Sequence, residues 1–302
     1  MMTVVLTEPP ATPEAPANRP ARHWSTALWV LAPLVLVLVI AVYPLIRVLT
    51  SSFEGRDQSS WSGVLTSELF RTSLLTTAQI AVFSTLGCLV LGTFIAVVLA
   101  FVPFPGSRVV GRLIDTVLAL PSFLITLAFT FLYGSAGAVN SLIANMTGGS
   151  RPLNFLTTPM GVIVAEITFF TPFVVRPLLA SFAVLPREQL DVAASLGGSP
   201  WRVLRTVVMP EAWPALMAGG SLVLLLTLNE FGIVLFTGAK DVTTLPVLIY
   251  TRGIVTFDLP GAAVIATVQV LLSLVLYGVY RLVFARLMSG RRGEGNAVVD
   301  PA

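Results

Sequence analysis

Four strongly polar side chains stand inside otherwise apolar sequence: Glu166, Arg176 and the neighbours Asn229 and Glu230. Ionisable groups in such surroundings are costly, so they face a cavity or the interior of a helix bundle. Two carboxylates there could line an aqueous path, relay protons, or act as an acid and base pair. Arg176 could pair with an acid, hold a passing anion, or extend its guanidinium toward headgroups. Each residue also has a structural reading, as a packing or gating group. Other chemistries are closed to the chain. His23 is the sole histidine and Cys88 the sole cysteine, so a histidine relay, a His/Cys metal cluster and an internal disulfide are all excluded. There is no Ser/His/Asp set and no Gly-x-x-x-x-Gly-Lys-Ser/Thr loop, so ATP hydrolysis by that route is excluded as well.

The elements that must position these residues are transmembrane helices. Of 302 residues, 55% are hydrophobic and only 11% charged, and the mean hydropathy is +0.89. A soluble domain carries about a quarter charged residues, so this composition requires a bilayer. Spanning about 30 Å of hydrocarbon takes roughly 20 apolar residues as a helix. Six windows qualify: 27–49, 76–102, 114–133, 160–183, 214–236 and 261–283. Alternating barrel-type patterning is absent, so the fold class is an all-α membrane bundle. Spans four and five run in opposite directions, which places Glu166 and Glu230 at comparable depth.

Residues 1–23, rich in Pro, Ala, Thr and Glu, read as a disordered tail. The apolar run that follows is too long for a signal peptide and reads as an uncleaved anchor. Residues 24–287 read as the transmembrane domain and 288–302 as a second tail. Eleven arginines fall on the side of the N-terminus, against six Lys and Arg on the other. The positive-inside rule then puts both termini and the 184–213 loop in the cytoplasm. No internal repeat is visible, which argues against an inverted-repeat secondary transporter.

That loop is the most specific stretch. Pro186 and Glu188 suit the first turn of a helix running to about Leu196. Gly197 and Gly198 permit a break, and Ser199 with Pro200 can start a second helix. Trp201, Leu204 and Val208 share one face of it, beside Arg202 and Arg205, and Met209 with Pro210 ends it. The expectation is two short helices lying along the cytoplasmic surface. Without further information they would rest on headgroups, with the two arginines on lipid phosphates.

The spacing of this loop resembles the integral membrane subunits of binding-protein-dependent ATP-binding cassette (ABC) importers. Asp191, Val192 and Ala193 stand where that family has Glu-Ala-Ala, and Gly197 falls at the required distance. Val207 takes the isoleucine place, and Met209 and Pro210 the Leu-Pro place. The resemblance covers about residues 70–285. It implies a six-span, type I ABC importer permease bundle (MetI-like), whose loop is a coupling helix docked on a cytoplasmic ATPase, with Trp201 and Arg202 beside the motif. The implied partners are ATPase subunits, a second permease subunit and an extracytoplasmic solute-binding protein, in a bacterial inner membrane. No nucleic acid is implied. No cofactor is bound by the chain itself, and ATP is used by the partner.

The wording of residues 228–250 is similar to permeases of 2-aminoethylphosphonate importers more than to those for sulfate, molybdate or iron, which remain alternatives with polyamines. A proton-driven transporter using Glu166 and Glu230, a membrane-embedded enzyme and a channel are the rival classes. None of them explains the spaced loop.

Overall fold

The computed structural model describes residues 23–149, 156, 158–239 and 242–296, and all regular structure among them is helical. The readings placed on residues 1–22, 151, 240 and 297–302 lie outside the described residues. Contacts divide the chain after Arg47 into two compact units. The first holds most of α1 (His23–Ser51), a long apolar helix with Pro33 and Pro44 in its interior.

The second unit carries the rest. A short α2 (Trp61–Thr66), capped by the Ser60 hydroxyl, leads to α3 (Glu68–Phe101), capped by Ser67. After α4 (Ser107–Leu118), α5 (Ser122–Tyr133) and α6 (Ala138–Thr147) come α7 (Pro159–Phe170) and α8 (Pro172–Ala183). Then follow α9 (Arg187–Ser195), α10 (Pro200–Val203), α11 (Met209–Leu228), α12 (Gly232–Thr237), α13 (Leu245–Tyr250) and α14 (Leu259–Asn296). Among the described residues, six stretches are long and apolar enough to cross a bilayer: Trp29–Ser51, Glu68–Phe101, Ser122–Thr147, Pro159–Ala183, Pro200–Leu228 and Leu259–Arg286.

The number of spans matches the expectation, and several boundaries do not. The window 114–133 is divided at Pro121, whose missing N–H and bulk disfavour helix in the residue before it. Residues 114–118 belong to α4, and helix resumes at Ser122 and continues, after a turn at 134–137, into α6. The fifth window is also cut, because α11 stops at Leu228 and α12 starts at Gly232. Residues 288–296, within the segment read as a tail, continue α14 as helix.

A further correction concerns the loop. Only α9 is a separate short helix. From Pro200 the chain runs without interruption through a π turn at Leu204–Val208 into α11, to Leu228. Pro210 would ordinarily clash with the carbonyl four residues before it. The wider turn removes that conflict, since Met209 N–H reaches back five residues to the Leu204 carbonyl. The second half of the loop is therefore an extension of the fifth span.

Helices inside lipid gain no hydrophobic drive from meeting each other, so close packing of small residues must supply the attraction. The buried stripe of α3 is mostly small (Ser73, Thr77, Ala81, Ser84, Thr85, Cys88, Gly92 and Ala96, with Phe70 and Ile80 the large members), and its other face exposes Leu75, Phe83, Leu86, Val90 and Phe94. A Cβ on Gly92 would come within 2.8 Å of Val174 on α8. On α11, a Cβ at Gly219 would sit 3.1 Å from the Phe173 carbonyl oxygen and from Val174 Cα. Hydrogen bonds pin the outer elements: Leu245 N–H donates to Thr77 Oγ1 at 2.8 Å, and Tyr280 reaches the carbonyls of Leu216 and Met217.

Gly219→Leu should lower stability by about 1–3 kcal/mol through overpacking against backbone, whereas Leu86→Ala on the exposed face should change little. Thermal unfolding in detergent measures both; equal midpoints would show that α8 and α11 do not pack this closely.

Candidate functional site

Two places combine polar chemistry with an interrupted helix. The first is the turn between α9 and α10. Gly197 adopts φ +80°, a conformation costly for other residues. Gly198 N–H donates to the Ala193 carbonyl at 3.0 Å and Gly197 N–H to Ala194 at 2.9 Å. This pair of bonds satisfies the last carbonyls of α9. Ser199 Oγ then accepts from Arg202 N–H at 3.4 Å and starts α10, as its sequence position indicated.

The motif residues separate onto two sides of α9. Asp191 lines a groove of about 550 Å³ with Phe101 of α3 and with Leu190, Trp201 and Leu204. Val192, Ala193 and Val207 gather in a shallow patch beside Leu196. Leu196 is 82% exposed and Trp201 71% exposed, in a region otherwise rich in charge. Arg202 is exposed and lines neither surface. Met209 and Pro210 stand at the head of α11. Leu196 escaped the sequence reading because a leucine beside a glycine pair looks like core.

The second place is the unwound segment Asn229, Glu230 and Phe231 between α11 and α12. Non-helical backbone at membrane depth must be satisfied by protein or line a wet cavity. Here the freed groups are met one by one. Asn229 Nδ2 donates to the Leu225 carbonyl at 2.8 Å, and Gln269 Nε2 of α14 donates to the Leu228 carbonyl at 2.5 Å. Gln269 lies ten residues into α14, about 15 Å from its start at the helical rise per residue. The break is thus well inside the span. Glu230 Oε1 accepts from Ile233 N–H at 2.8 Å and from Ser122 Oγ at 3.0 Å. One carboxylate thereby caps α12 and holds it against the start of α5. Thr126 to the Ile233 carbonyl (3.4 Å) and the Phe123–Phe236 ring pair (5.3 Å) extend that contact. Asn229 is exposed and Glu230 half-buried.

Glu166, on α7, is fully buried. Ser84 of α3 is its hydroxyl neighbour, and the Glu230 carboxylate lies within electrostatic reach. The structure therefore brings the two acids together. It takes Arg176 out of their company: ten residues further on, its guanidinium forms an ion pair with Asp115 and donates to the Gly111 carbonyl at 3.3 Å, tying α4 to α8. Gln269, a lone amide in an apolar helix, could have been flagged from sequence by the rule that flagged the acids. Asp115, inside the 114–133 window, fell under the same rule, whereas Ser122 carried no such signal.

The comparisons with known proteins fit this geometry. Residues 88–289 match the model of the binding-protein-dependent transport system inner membrane component. A Salmonella typhimurium protein whose name, PhnU, assigns it to a 2-aminoethylphosphonate transport system as permease is 46% identical over 90% of this chain and 96% of its own length. The cysT protein of Chlorokybus atmophyticus, named for sulfate transport, is 30% identical over 79% of this chain and 82% of its own. Two solved structures share the fold. A chain of a bacterial alginate ABC transporter, in complex with alginate pentasaccharide-bound periplasmic protein, superposes with a TM-score of 0.76 at 18% identity, covering 88% of this chain and 96% of that one. A chain of the MetNI methionine ABC transporter, in an inward-facing conformation, does so at 0.53 and 20% identity, covering 74% and 99%. With its spans, its interrupted fifth helix and its spaced loop, the chain belongs to the inner membrane component family of binding-protein-dependent transport systems.

Proposed function

We propose that this permease subunit carries a small zwitterionic phosphonate, 2-aminoethylphosphonate or a close analogue, across the inner membrane, powered by a separate cytoplasmic ATPase. The observation that carries the mechanism is the unbroken helix from Pro200 to Leu228. One end lies at the Gly197 turn and the other at the unwound Asn229–Glu230 segment. A displacement of the turn by a docked ATPase would pass along a single rigid element to the membrane interior. The exposed Leu196, Val192 and Val207 patch supplies the apolar contact, of the kind that dominates interface energetics. On the other side of α9, Asp191 supplies charge for a basic partner group and Trp201 lines the same groove, while Arg202 is exposed at the start of α10. Both termini and this loop are cytoplasmic in this reading.

The path runs past Asn229 and Glu230, where exposed polar groups and non-helical backbone coincide at depth. A second permease, identical or related, closes the other side, and an external binding protein delivers the cargo. ATP and the loaded receptor must prefer different states of the bundle, which is the thermodynamic condition for coupling. The 46% identity to a relative named for 2-aminoethylphosphonate supports the choice of cargo. Sulfate is the second reading, on the weaker likeness to a sulfate-system permease.

Leu196→Asp and Asp191→Lys should each weaken co-purification of the ATPase by about tenfold or more, on the order of 1.4 kcal/mol, without loss of the folded bundle. An undiminished complex with both variants would rule out docking on either side of α9. Glu230→Gln keeps the cap on α12 and removes a charge, so it should slow ATP-dependent uptake into proteoliposomes by roughly tenfold while the assembly stays intact. Unchanged uptake would reduce Glu230 to packing. For the cargo itself, labelled 2-aminoethylphosphonate should accumulate with receptor and ATP, and excess sulfate should not compete; the reverse pattern selects the sulfate reading.

A further inference from the structure

Glu166 is wholly buried, and neither of its carboxylate oxygens closes a hydrogen bond of normal geometry among the described residues. The same holds for Ser84 Oγ and Thr85 Oγ1 on α3. Buried polar groups are normally satisfied, and an exception calls for a reason. Glu230, the nearest other acid, adds negative charge to the neighbourhood. The basic side chain on the same span, Arg176, is engaged by Asp115 about 15 Å further along it. Beside two acids a positively charged group is favoured. Among the described residues no group of three or more His, Cys, Asp or Glu could hold a metal ion. A primary ammonium has three N–H donors, which suits the two carboxylate oxygens of Glu166 and the Ser84 hydroxyl oxygen.

The cover over the cluster is a face of α3 with short side chains. Residues 84, 85, 87 and 88 of α3 are Ser, Thr, Gly and Cys. Gly87 lies so close that a Cβ there would meet the side chain of Ile167, the residue after Glu166. Short side chains line the α3 side of this seam, and Ile167 is seated against Gly87 from the other side.

We propose that Glu166, with the Ser84 hydroxyl of α3 across the seam, is a concealed subsite for an organic ammonium group. It is uncovered when α3 and α7 move apart during the transport cycle. The inference rests on the permease reading, with two alternating states, and it places the amine of a zwitterionic cargo at Glu166.

Cys88, the sole cysteine of the chain, is a built-in reporter: it is buried one helical turn from Ser84, with its Sγ 3.7 Å from the Ile167 carbonyl oxygen. The transporter, reconstituted with its ATPase and receptor, is treated with cationic 2-aminoethyl methanethiosulfonate or its anionic 2-sulfonatoethyl counterpart. Labelling is read from the mass of this chain in nucleotide-free, receptor-loaded and vanadate-trapped states. Cys88 should react in at least one of these states. There the cationic-to-anionic rate ratio should exceed that of Glu166→Gln by about tenfold, the effect expected of one charge contact. Ethylammonium should slow the wild-type reaction in the same state, a readout that survives if the variant fails to assemble. A cysteine unlabelled in every state, a ratio indifferent to Glu166→Gln, or a wild-type rate unmoved by ethylammonium would each overturn the subsite. Because the probes are not phosphonates, these results are independent of the competition between sulfate and 2-aminoethylphosphonate.

Discussion

Backbone groups released at a helix break cannot turn to water inside a bilayer, and this constraint organises the membrane part of the molecule. The break after Leu228 is permitted because three side chains answer it: Asn229 on the Leu225 carbonyl, Gln269 on the Leu228 carbonyl, and Glu230 on the amide that opens α12. Those partners come from α14 and from the break itself, and Glu230 recruits Ser122 of α5 as well. The interruption is thus a junction at which three spans are held to a common geometry. The segment is polar and partly exposed, and its main-chain groups are answered while Gln269 Oε1 stays buried without a partner among the described residues.

The other half of the design is mechanical. Since lipid is as apolar as leucine, the spans adhere through surface fit. Gly92 and Gly219 let α3 and α11 approach α8 closely. Such contacts favour movement of helices as bodies over gradual deformation of a core. The extension of α11 back to Pro200 gives one of those bodies a handle outside the apolar region, and the π turn at Leu204–Val208 lets a proline sit within it. Arg176 and Asp115 fasten α4 to α8 near the same end. Both side chains are substantially exposed, so the pair orients more than it stabilises.

Much of this was legible from residue order. Runs of apolar residues have to be spans whatever their neighbours are, so six of them could be counted. The Gly197 turn and the Ser199 cap were likewise readable, because backbone conformation and local hydrogen bonding there depend on adjacent residues only. Hydropathy, however, could not mark the ends of the third and fifth spans. An averaged window runs smoothly across Pro121 and across Asn229 and Glu230, and it takes α10 for a surface piece because arginines surround it.

By itself, then, the sequence determined the membrane class, the family and the identity of the polar groups that lipid would make expensive. The fold decided which of those groups meet. Glu166 and Glu230, 64 positions apart, come into electrostatic reach because α7 and α12 pack together. Arg176 is drawn instead to Asp115 on α4, a pairing no spacing rule could choose. The reason is physical: a residue's cost of burial is set by its own chemistry, whereas its compensation is set by whatever distant part of the chain arrives beside it.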